Sequence, residues 1–476
     1  MFQPPRLGVG LVYSSFVADA IRSDPGLVDF VEVEPETLWI QPAPGVCEFR
    51  LAPGELGRLR ALPCAKLLHS IGFAVGGSCP PDLAHVALLN RMADALESPW
   101  VSEHLSFNTA RIGGEVTRTG MLLPQLQTTE GVARAAGTAR GYAAAVNRPL
   151  ALETGVNYLE PRAFEMSDGR FVRRVVEEAG CGILLDLHNL WTNERNGRQR
   201  ALDFVAELPL ERVWEVHVAG GEERRGFWID SHCGAMPAAV RALAREVIPC
   251  LPNLGAVTLE VFPAYLPELG IDGLRREIDF LRDLRALPPA ALARKAPSPA
   301  PTEAGAPTIA EWERALAEAI LGRPASSELG RELAGHPALF LYRDLLGEFR
   351  ASMTGTALGL TTRLLLLHLG PAGLRELLSA FWLRVPPEMS AAAESLRFGE
   401  FLRSERPLVP LLPEILSFEA AALRAMTEER AQHVRLDCDI RLAVAALVEG
   451  RRPAHPGPTA FEFILDPPAP LLEGSP

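Results

Sequence analysis

The sequence is poor in the features that mark secreted, membrane and nucleic-acid-binding proteins. Its seven cysteines are odd in number and irregularly spaced, which suits a reducing compartment better than a disulfide framework. It contains no run of about 18 apolar residues, and its first residues, MFQPPRLGVG, lack the charged and then apolar layout of a signal peptide. The net charge of −12 argues against a nucleic-acid partner, because phosphate binding needs a basic surface. We therefore predict a soluble cytoplasmic protein that binds neither nucleic acid nor a membrane.

Nucleotide-binding fingerprints are missing as well. The segment Gly8–Val12, GVGLV, lacks the third glycine of a dinucleotide-binding loop. The pair Gly76-Gly77 is not followed by the lysine and the serine or threonine of a P-loop. We therefore expect no nucleotide cofactor, and the chemistry of the protein has to come from other side chains.

What the sequence does contain is eight strand-like apolar runs within its first 262 residues. They are Leu7–Val12, Phe30–Glu34, Lys66–Ser70, Trp100–Leu105, Leu150–Glu153, Gly182–Asp186, Val213–Val218 and Ala256–Val261. Helical patterns occur between and after them, at Asp82–Glu97, Gly131–Val146, Gly169–Ala179, Ala238–Leu251 and Gly273–Leu287. Strands alternating with helices imply a parallel sheet, and eight such units predict a closed (β/α)₈ TIM barrel of about 250 residues. An open doubly wound sheet is the alternative.

A segment rich in proline and alanine divides the chain. Between Pro288 and Pro307, 13 of the 20 residues are Pro or Ala, which is typical of an extended linker. We assign residues 1–287 to the barrel, 288–307 to the linker and 308–476 to a mostly α-helical second domain. Its predicted elements are helices at Ile309–Leu321, Leu339–Met353, Leu360–Leu369, Leu374–Val385, Phe398–Ser404 and Ile415–Arg430, and a strand at Ala460–Leu465. We interpret its scattered histidines as packed or exposed side chains without a metal; they are His336, His368, His433 and His455.

Ligand-type side chains follow nearly every predicted strand of the barrel. In GILLDLHN, residues 182–189, a continuous apolar strand runs directly into Asp186 and His188. Because the carboxyl ends of barrel strands meet on one face, we expect these side chains to converge there. The full set is Glu34, Glu36, His69, Glu103, His104, Glu153, Asp186, His188, His217 and Glu260, with Asp230 and His232 from the loop IDSHCG.

Such a concentration of acids and imidazoles predicts a metal centre. An unpartnered buried charge costs on the order of several kcal/mol, and divalent cations neutralise many such groups at one place. The donors outnumber the three protein ligands of a typical single catalytic site, so two or more metals fit better than one. Mixed nitrogen and oxygen ligation without a thiolate suits Fe, Mn or Zn. A metal-free network of ion pairs is the alternative, and we expect Cys233, next to His232, to be a packed thiol rather than a ligand.

The motifs that carry these residues resemble one known family. In chain order they are LLHSIGF at His69, VSEHLSF at His104, ALETG at Glu153, LLDLHNL at Asp186, EVHVAG at His217, IDSHCG at His232 and TLEVFP at Glu260. Together they resemble the multinuclear non-haem iron-dependent oxidative enzymes, formerly a domain family of unknown function (DUF692), which include the iron oxidase of methanobactin biosynthesis. The resemblance covers about residues 5–285.

The resemblance implies a TIM-barrel enzyme with two or three irons per chain. It implies the use of O₂ to modify a ribosomally made precursor peptide, often at cysteine. Glu153 and Glu260 are then the candidates for bridging ligands, and no protein acid or base is assigned. The implied iron ligands or their immediate supports are His69, His104, Glu153, Asp186, His217, Asp230, His232 and Glu260, to which we add the imidazole of His188.

The second domain is similar to the separate partner proteins of these enzymes, which help to recognise the leader segment of the substrate. The similarity lies in LYRDLLGEFRASM, LGPAGLRELLSAFW and the stretch that follows them. Fusion would fix a one-to-one ratio and raise the effective concentration of the two parts, so we expect no separate partner protein. The segment Ala460–Leu465 is the expected place for strand pairing with the peptide.

The chain departs from the family pattern at four places. Glu153 is followed by Thr154 where the family often has Asn, and His188 adds an imidazole to the usual Asp-Val-Asn-Asn. Gly221 stands where many members have a second histidine, four residues after the strand-seven histidine. Phe262 replaces an aspartate two residues after the strand-eight glutamate. The last two changes bear on a third metal, and they imply a substrate or product different from the methanobactin case.

Two other functions remain open from the residues alone. One is a Zn- or Mn-dependent isomerase or phosphodiesterase on a barrel of the xylose-isomerase type. It would need lysines and arginines at the rim to bind sugar or phosphate, whereas the strand ends here are acidic and rich in imidazole. The other is a non-catalytic metal-binding scaffold, which would bind metal without consuming O₂ with any peptide.

Overall fold

Eight parallel strands close into a barrel within the part of the chain that the computed structural model describes, residues 2–46, 48–292, 302–454, 457 and 459–467. The strands of the protein are β1 (Gly8–Val12), β2 (Phe30–Val33), β3 (Trp39–Ile40), β4 (Arg50–Leu51), β5 (Ala65–Ser70), β6 (Val101–His104), β7 (Phe107–Ile112), β8 (Glu115–Leu123), β9 (Leu150–Glu153), β10 (Gly182–Asp186), β11 (Val213–Ala219), β12 (Glu222–Arg224), β13 (Phe227–Ile229), β14 (Ala256–Glu260), β15 (Gln432–Leu436) and β16 (Phe461–Leu465). Around the barrel the order is β1-β14-β11-β10-β9-β6-β5-β2. These eight strands match the eight predicted runs to within one residue at each end. The barrel prediction is confirmed, and the open sheet is excluded.

Helices follow most barrel strands and build the rest of the chain. They are α1 (Ser15–Ser23), α2 (Glu55–Ala61), α3 (Val86–Ala95), α4 (Thr129–Ala145), α5 (Asp168–Ala179), α6 (Leu187–Arg195), α7 (Ala201–Glu207), α8 (Ala238–Val247), α9 (Leu266–Arg285), α10 (Ile309–Ile320), α11 (Glu328–Ala334), α12 (Pro337–Ala357), α13 (Gly359–Arg384), α14 (Ala391–Glu405), α15 (Leu412–Glu428) and α16 (Arg441–Val448). The predicted segments Leu360–Leu369 and Leu374–Val385 are the two parts of α13, which lose helical geometry at Gly370, where φ is 72°.

The interior of the barrel changes from apolar to acidic along the strands. Phe30, Ala151 and Ala256, near the amino ends of β2, β9 and β14, belong to one buried apolar cluster. Two or four residues further along the same rows stand Glu153 and Glu260, at the carboxyl ends. Because side chains of a strand alternate between its two faces, residues two apart share the interior. The alternation therefore carries acids to one rim above an apolar base.

The chain divides into two compact units, and both are discontinuous in sequence. The barrel unit comprises Met1–Leu38, Glu55–Val116 and Leu122–Leu316. The second unit comprises Trp39–Gly54, Thr117–Met121 and Ala317–Pro476. The observed division therefore falls within α10, whereas the sequence predicted a boundary at residue 308. Of the predicted linker, residues 288–307, positions 293–301 lie outside the described residues.

Helices α12 to α16 build the apolar core of the second unit, with the two-stranded sheet β15–β16 beside them. The predicted strand Ala460–Leu465 is β16, which pairs antiparallel with β15. The early segment Trp39–Gly54 joins this unit through polar contacts. Arg50 forms an ion pair with Glu429, and Glu388 Oε2 accepts a hydrogen bond of 3.1 Å from the backbone N–H of Gly45.

One helix among the described residues, α13, is long and apolar enough to cross a membrane by length and composition alone. Its buried residues include Leu364, Leu365 and Phe381, which lie in the apolar core of the second unit. The helix thus has a packing role within the unit, and the cytoplasmic location stays a prediction.

Candidate metal centre

Three ligand-type side chains from neighbouring strands meet at one side of the acidic rim. His69 lies at the end of β5, His104 ends β6 and Glu153 ends β9. Oε2 of Glu153 lies 2.8 Å from Nε2 of His104 and 3.3 Å from Nε2 of His69. The donor atoms of the three residues lie within 4.8 Å of one another, so the group can hold one metal ion.

A second group shares Glu153 with the first. It consists of Glu153, Asp186, His217 and Glu260, all buried, with donor atoms again within 4.8 Å of one another. Nδ1 of His217 lies 3.2 Å from Oε1 of Glu260 and 3.8 Å from Oε1 of Glu153. The two oxygens of Glu153 therefore face different groups, which is the arrangement of a bridging carboxylate.

The hairpin β12–β13 leads into two further ligand-type residues at the same rim. Nε2 of His232 lies 3.0 Å from Oδ1 of Asp230 and 3.5 Å from Oε2 of Glu260. His232 has a φ of 46°, in the left-handed region, where a non-glycine residue costs on the order of 1–3 kcal/mol and persists only if its surroundings impose it. Glu260 thus faces both His217 and His232 and connects this third group to the second.

The ligand-type residues of these three groups form one rim cluster, in which several donor atoms lie close together without a hydrogen bond. Buried polar atoms usually have hydrogen-bond partners. Five donor atoms of the cluster are buried without one, namely Glu153 Oε2, Asp186 Oδ2, His217 Nδ1, His232 Nε2 and Glu260 Oε2. Atoms that lie this close without hydrogen-bond geometry fit shared metal ligation, and a set of imidazoles and carboxylates fits Fe, Mn or Zn.

In the metal-free protein, protons on the imidazoles balance the charge of the carboxylates. Burial disfavours a charge on His69, yet its contacts with Glu153 raise the pKa of His69 to about 9. Burial alone would raise the pKa of Glu153, but His104 and His69 hold it well below its usual range. Burial and the neighbouring carboxylates, Asp230 first, hold the pKa of Asp186 well above its usual range. The site therefore stores protons, which a bound cation would displace.

A cavity of about 560 Å³ opens onto the cluster. Its inner end is lined by Glu34, His232 and Glu260, and one side by Val261 and Phe262. The rest of it is lined by residues before and along α1, by the segment that follows β2, and by α2, of which the polar ones are Tyr13, Ser14, Ser15, Asp19, Arg22, Thr37, Glu55 and Arg58. The volume lies within the range of about 300–1,000 Å³ that is typical of ligand sites. A side chain entering from solvent can therefore reach the cluster.

A family profile matches residues 6–270, and it describes the RiPP precursor modification enzyme MbnB/TglH/ChrH. The chain belongs to this family. Its barrel and the ligand-type residues at its rim therefore belong to a family of enzymes.

Curated relatives share the name UPF0276 protein. The one from Streptomyces avermitilis is 36% identical over 239 residues, which are 49% of this chain and 47% of that protein. The one from Shewanella amazonensis is 31% identical over 284 residues, which are 59% of this chain and 94% of that protein. The chain thus spans about half the length of the Streptomyces relative, and 64% of the relative from Chromobacterium violaceum.

Solved structures also show similarity to this chain. The D-psicose 3-epimerase of Clostridium cellulolyticum H10 is 15% identical, with a TM-score of 0.37, over 58% of this chain and 99% of its own. A xylose isomerase domain containing protein of Salmonella typhimurium LT2 is 12% identical, with a TM-score of 0.39, over 60% of this chain and 100% of its own.

In this family member, the predicted rim residues Glu36 and Glu103 lie beside the cluster. Oγ of Ser70 lies 2.6 Å from Oε1 of Glu36 and 2.7 Å from Oε2 of Glu103. One hydroxyl hydrogen cannot serve two carboxylates, so one of them carries its own proton. Burial, together with the charge of Glu103, raises the pKa of Glu36 to about 7, which favours Glu36 as the protonated one. Glu103 Oε1 also accepts a 2.7 Å hydrogen bond from the backbone N–H of His104 and so supports that residue.

Two carboxylates that the sequence analysis did not single out lie behind His217. Nε2 of His217 is 3.0 Å from Oε2 of Glu32 and 3.6 Å from Oε1 of Glu215. Thr258 and the indole N–H of Trp100 donate to Glu32 and Glu215, at 2.7 and 3.0 Å. An acceptor behind a ligating histidine fixes its ring and directs its other nitrogen to the metal. The available signal was the two-residue period, because each of these acids stands two positions before a predicted rim residue.

His188, predicted among the ligands, lies at the edge of the third group, next to Asp230. Its Nδ1 is 2.9 Å from Oδ1 of Asp230, and its Nε2 accepts a 3.1 Å hydrogen bond from the indole of Trp228. Both ring nitrogens are therefore engaged by protein groups. Ligation by His188 stays a prediction, and in this structure the hairpin β12–β13 places an indole against the nitrogen that would bind a metal.

The other predicted residues have simpler surroundings. Cys233 accepts a 3.1 Å hydrogen bond from Ser231 and lies in none of the metal-type groups of the described chain. His336 caps the start of α12, where its Nδ1 accepts from the backbone N–H of Ala338 at 3.2 Å. His368 and His433 are likewise in none of those groups, and His455 lies outside the described residues.

Proposed function

We propose that the protein is an O₂-dependent iron enzyme that oxidises a side chain, most readily a cysteine, of a ribosomally made precursor peptide. One observation carries the proposal. Glu153 divides its two oxygens between two groups of buried donors, and this fits a carboxylate-bridged pair of metal ions. Asp230, His232 and Glu260 could hold a third ion.

The donor set admits iron, manganese or zinc, and family membership favours iron. The first ion would be held by His69, His104 and Glu153, and the second by Glu153, Asp186, His217 and Glu260. When bound, iron supplies the redox capacity to use O₂ and the Lewis acidity that lowers the pKa of a thiol. Both capacities match the oxidation of cysteine.

The chain's own residues would bind and orient the peptide side chain. The peptide side chain would enter the cavity past α1 and α2 and reach Glu34, His232 and Glu260. Val261 and Phe262 provide an apolar wall beside these polar groups, which limits the access of water to the reacting side chain. Holding the side chain next to O₂ in this way makes a bimolecular reaction effectively unimolecular.

Recognition of the leader segment would belong to the second unit. Its sheet has two strands, β15 and β16, so within the described residues each strand has one edge without a strand partner. An extended peptide can add to such an edge through backbone hydrogen bonds. This assignment makes a separate partner protein unnecessary.

The test uses full-length protein purified without oxygen and loaded with Fe(II), together with a cysteine-containing precursor encoded beside the gene. We expect O₂ consumption, a mass change on the peptide and a lower kcat/KM for the same peptide without its leader. Protein loaded with Zn(II) is the matched control and should be inactive. Turnover that needs no O₂ and proceeds with zinc or manganese would contradict the proposal and favour isomerase or phosphodiesterase chemistry.

A further inference from the structure

The imidazole of His188 lies between an indole and a carboxylate at the edge of the metal centre. Its side chain is fully buried, while that of Asp230 is 20% exposed. On one side, Nε1 of Trp228 is 3.1 Å from Nε2 of His188. On the other, Nδ1 of His188 is 2.9 Å from Oδ1 of Asp230, which in turn is 3.0 Å from Nε2 of His232. The four side chains form a row from the hairpin β12–β13 to the rim.

The direction of each hydrogen bond in this row follows from the chemistry of the indole. An indole N–H only donates, so Nε2 of His188 has to accept. The neutral ring then carries its hydrogen on Nδ1, and Nδ1 donates to Asp230. Trp228 thereby selects the one tautomer of His188 that presents a donor to the carboxylate.

The position of the indole is itself fixed from several sides. The side chain of Asn196 accepts from the backbone N–H of Trp228 at 2.9 Å and donates to its carbonyl at 2.8 Å. The guanidinium of Arg195 lies 5.0 Å from the ring, and the ring of Trp191 packs edge-on at 4.9 Å. This degree of support is typical of a residue whose orientation matters.

Gly221 provides the space in which this contact is made. A Cβ at this position would lie 2.6 Å from Nε2 of His188 and 2.6 Å from Nε1 of Trp228. Real Cβ atoms do not approach other atoms so closely, so any larger residue at 221 would separate the imidazole from the indole. The added imidazole at 188 and the glycine at 221, two departures found in the sequence, are thus one structural feature.

We propose that His188 is a positioning residue for Asp230, that Trp228 fixes its tautomer, and that Gly221 makes their contact possible. The row holds the carboxylate of Asp230 in place beside His232, where it can serve a metal ion. The inference rests on the proposed metal centre, and it assigns His188 to the support of that centre rather than to ligation. Hydrogen-bond partners that hold a metal ligand in place change metal affinity by roughly 10- to 100-fold.

The experiment titrates metal-free full-length protein with Co(II), whose visible absorption reports its ligand geometry, and measures stoichiometry and affinity by chelator competition. Trp228→Phe removes the indole N–H and keeps a ring. His188→Leu removes the donor, whereas His188→Asn keeps an amide N–H close to the position of Nδ1. Trp382→Phe is the matched control, since it makes the same change in an indole that packs against the apolar core of the second unit.

We expect Trp228→Phe and His188→Leu to weaken one class of Co(II) sites by roughly 10- to 100-fold and to change its spectrum. His188→Asn and Trp382→Phe should stay within about threefold of the wild type, and all metal-free variants should melt at similar temperatures. An unchanged Trp228→Phe titration would overturn the inference, and so would an equal loss in His188→Asn and His188→Leu, which would make His188 a ligand. If the wild type itself took up no Co(II), the proposed metal centre would fail, and the inference with it.

Discussion

Two clusters of polar side chains in the barrel unit, one around Arg198 and one at the rim, compensate the charge of buried carboxylates in different ways. In the first, Arg198 donates to Asp168 at 2.5 Å, to the carbonyl of Leu159 at 2.6 Å and to Gln127 at 3.2 Å. The side chains of Arg198 and Asp168 are only 2% and 8% exposed. The protein thus supplies the cation, and every group named here has a partner.

The rim cluster buries more carboxylates than the Arg198 cluster but contains no arginine or lysine. Its imidazoles take up protons instead, and several of its donor atoms have no hydrogen-bond partner. The comparison teaches that burial of charge does not by itself identify a metal site. Unpartnered donor atoms facing one another are the distinguishing feature.

The largest effect should come from Glu153→Ala, because Glu153 belongs to two donor groups at once. We expect loss of nearly all bound metal and of activity, measured by elemental analysis after anaerobic reconstitution. Glu313→Gln is the matched control. Glu313 is a buried carboxylate of the barrel unit that accepts a 2.7 Å hydrogen bond from the backbone N–H of Ser78, and it belongs to neither of these two donor groups. Retention of two metal equivalents in Glu153→Ala would contradict the bridging assignment.

His217→Ala and Glu260→Ala should each abolish activity but differ in stability. Removal of His217 leaves Glu32 and Glu215 buried without their imidazole, which should cost on the order of 3–5 kcal/mol in the metal-free protein. Removal of Glu260 takes one counter-charge from His217 and His232, but His217 keeps Glu32 and Glu215 and His232 keeps Asp230, so the metal-free barrel should lose less stability than in His217→Ala. Chemical denaturation separates the two variants. Unchanged metal content and turnover in both would exclude them as ligands.

Arg198→Met tests the other side of the comparison. It leaves Asp168 buried without its cation, which should lower the free energy of unfolding by about 3–5 kcal/mol. The folded fraction should nevertheless bind the same number of metal ions, because Arg198 takes no part in the rim cluster. A variant that is as stable as the wild type, or that loses metal while folded, would remove the distinction between the clusters.

A smaller effect should appear when pH is varied without and with metal. The pKa of His69 in the metal-free fold is raised to about 9 from an ordinary 6.5. The stabilisation that protonation gives is therefore complete below pH 6.5 and is lost as pH rises through 9. We expect the melting temperature of metal-free protein to fall across this window, and that of zinc-loaded protein to stay level. Parallel curves would show that metal does not replace the stored protons.

The smallest effect concerns the pH-dependent protonation of Glu36. Its pKa is raised to about 7 from 4.5, so its contribution to stability is complete below pH 4.5 and lost as pH rises through 7. Glu36→Gln keeps the shape without the titration. Relative to the wild type, it should gain a few degrees in melting temperature between pH 4.5 and pH 7.5. An unchanged difference between the two proteins across that range would place the shared proton elsewhere.

The barrel and most of its rim residues could be predicted because both depend on local patterns. Each strand is a short apolar run, and the position of Asp186 or Glu260 follows from where the run ends. The hydrogen bonding of His188 could not be predicted in this way. It depends on Trp228, which stands forty residues later on a strand of only three residues, too short to leave a pattern.

The sequence also could not predict which segments of the chain form the second unit. Gly45 and Glu388 are hydrogen-bonded across 343 positions, and no local signal reports such a contact. The Pro- and Ala-rich segment led us to end the barrel at residue 287. Trp312 nevertheless belongs to the barrel unit, where its indole donates a 2.9 Å hydrogen bond to the carbonyl of Pro124. A linker composition thus marks a change in the chain without marking the end of a folding unit.

The discontinuity of the second unit has a consequence for the order in which the protein matures on the ribosome. Its first segment, Trp39–Gly54, is synthesised some 260 residues before its main body begins at Ala317. That segment therefore leaves the exit tunnel long before the surface it joins has been translated. The second unit can close only after α15 has emerged, since Glu429, at the end of that helix, pairs with Arg50. Completion of the second unit is thus tied to the translation of α15, and a chain that stops before this helix leaves Arg50 without its partner Glu429.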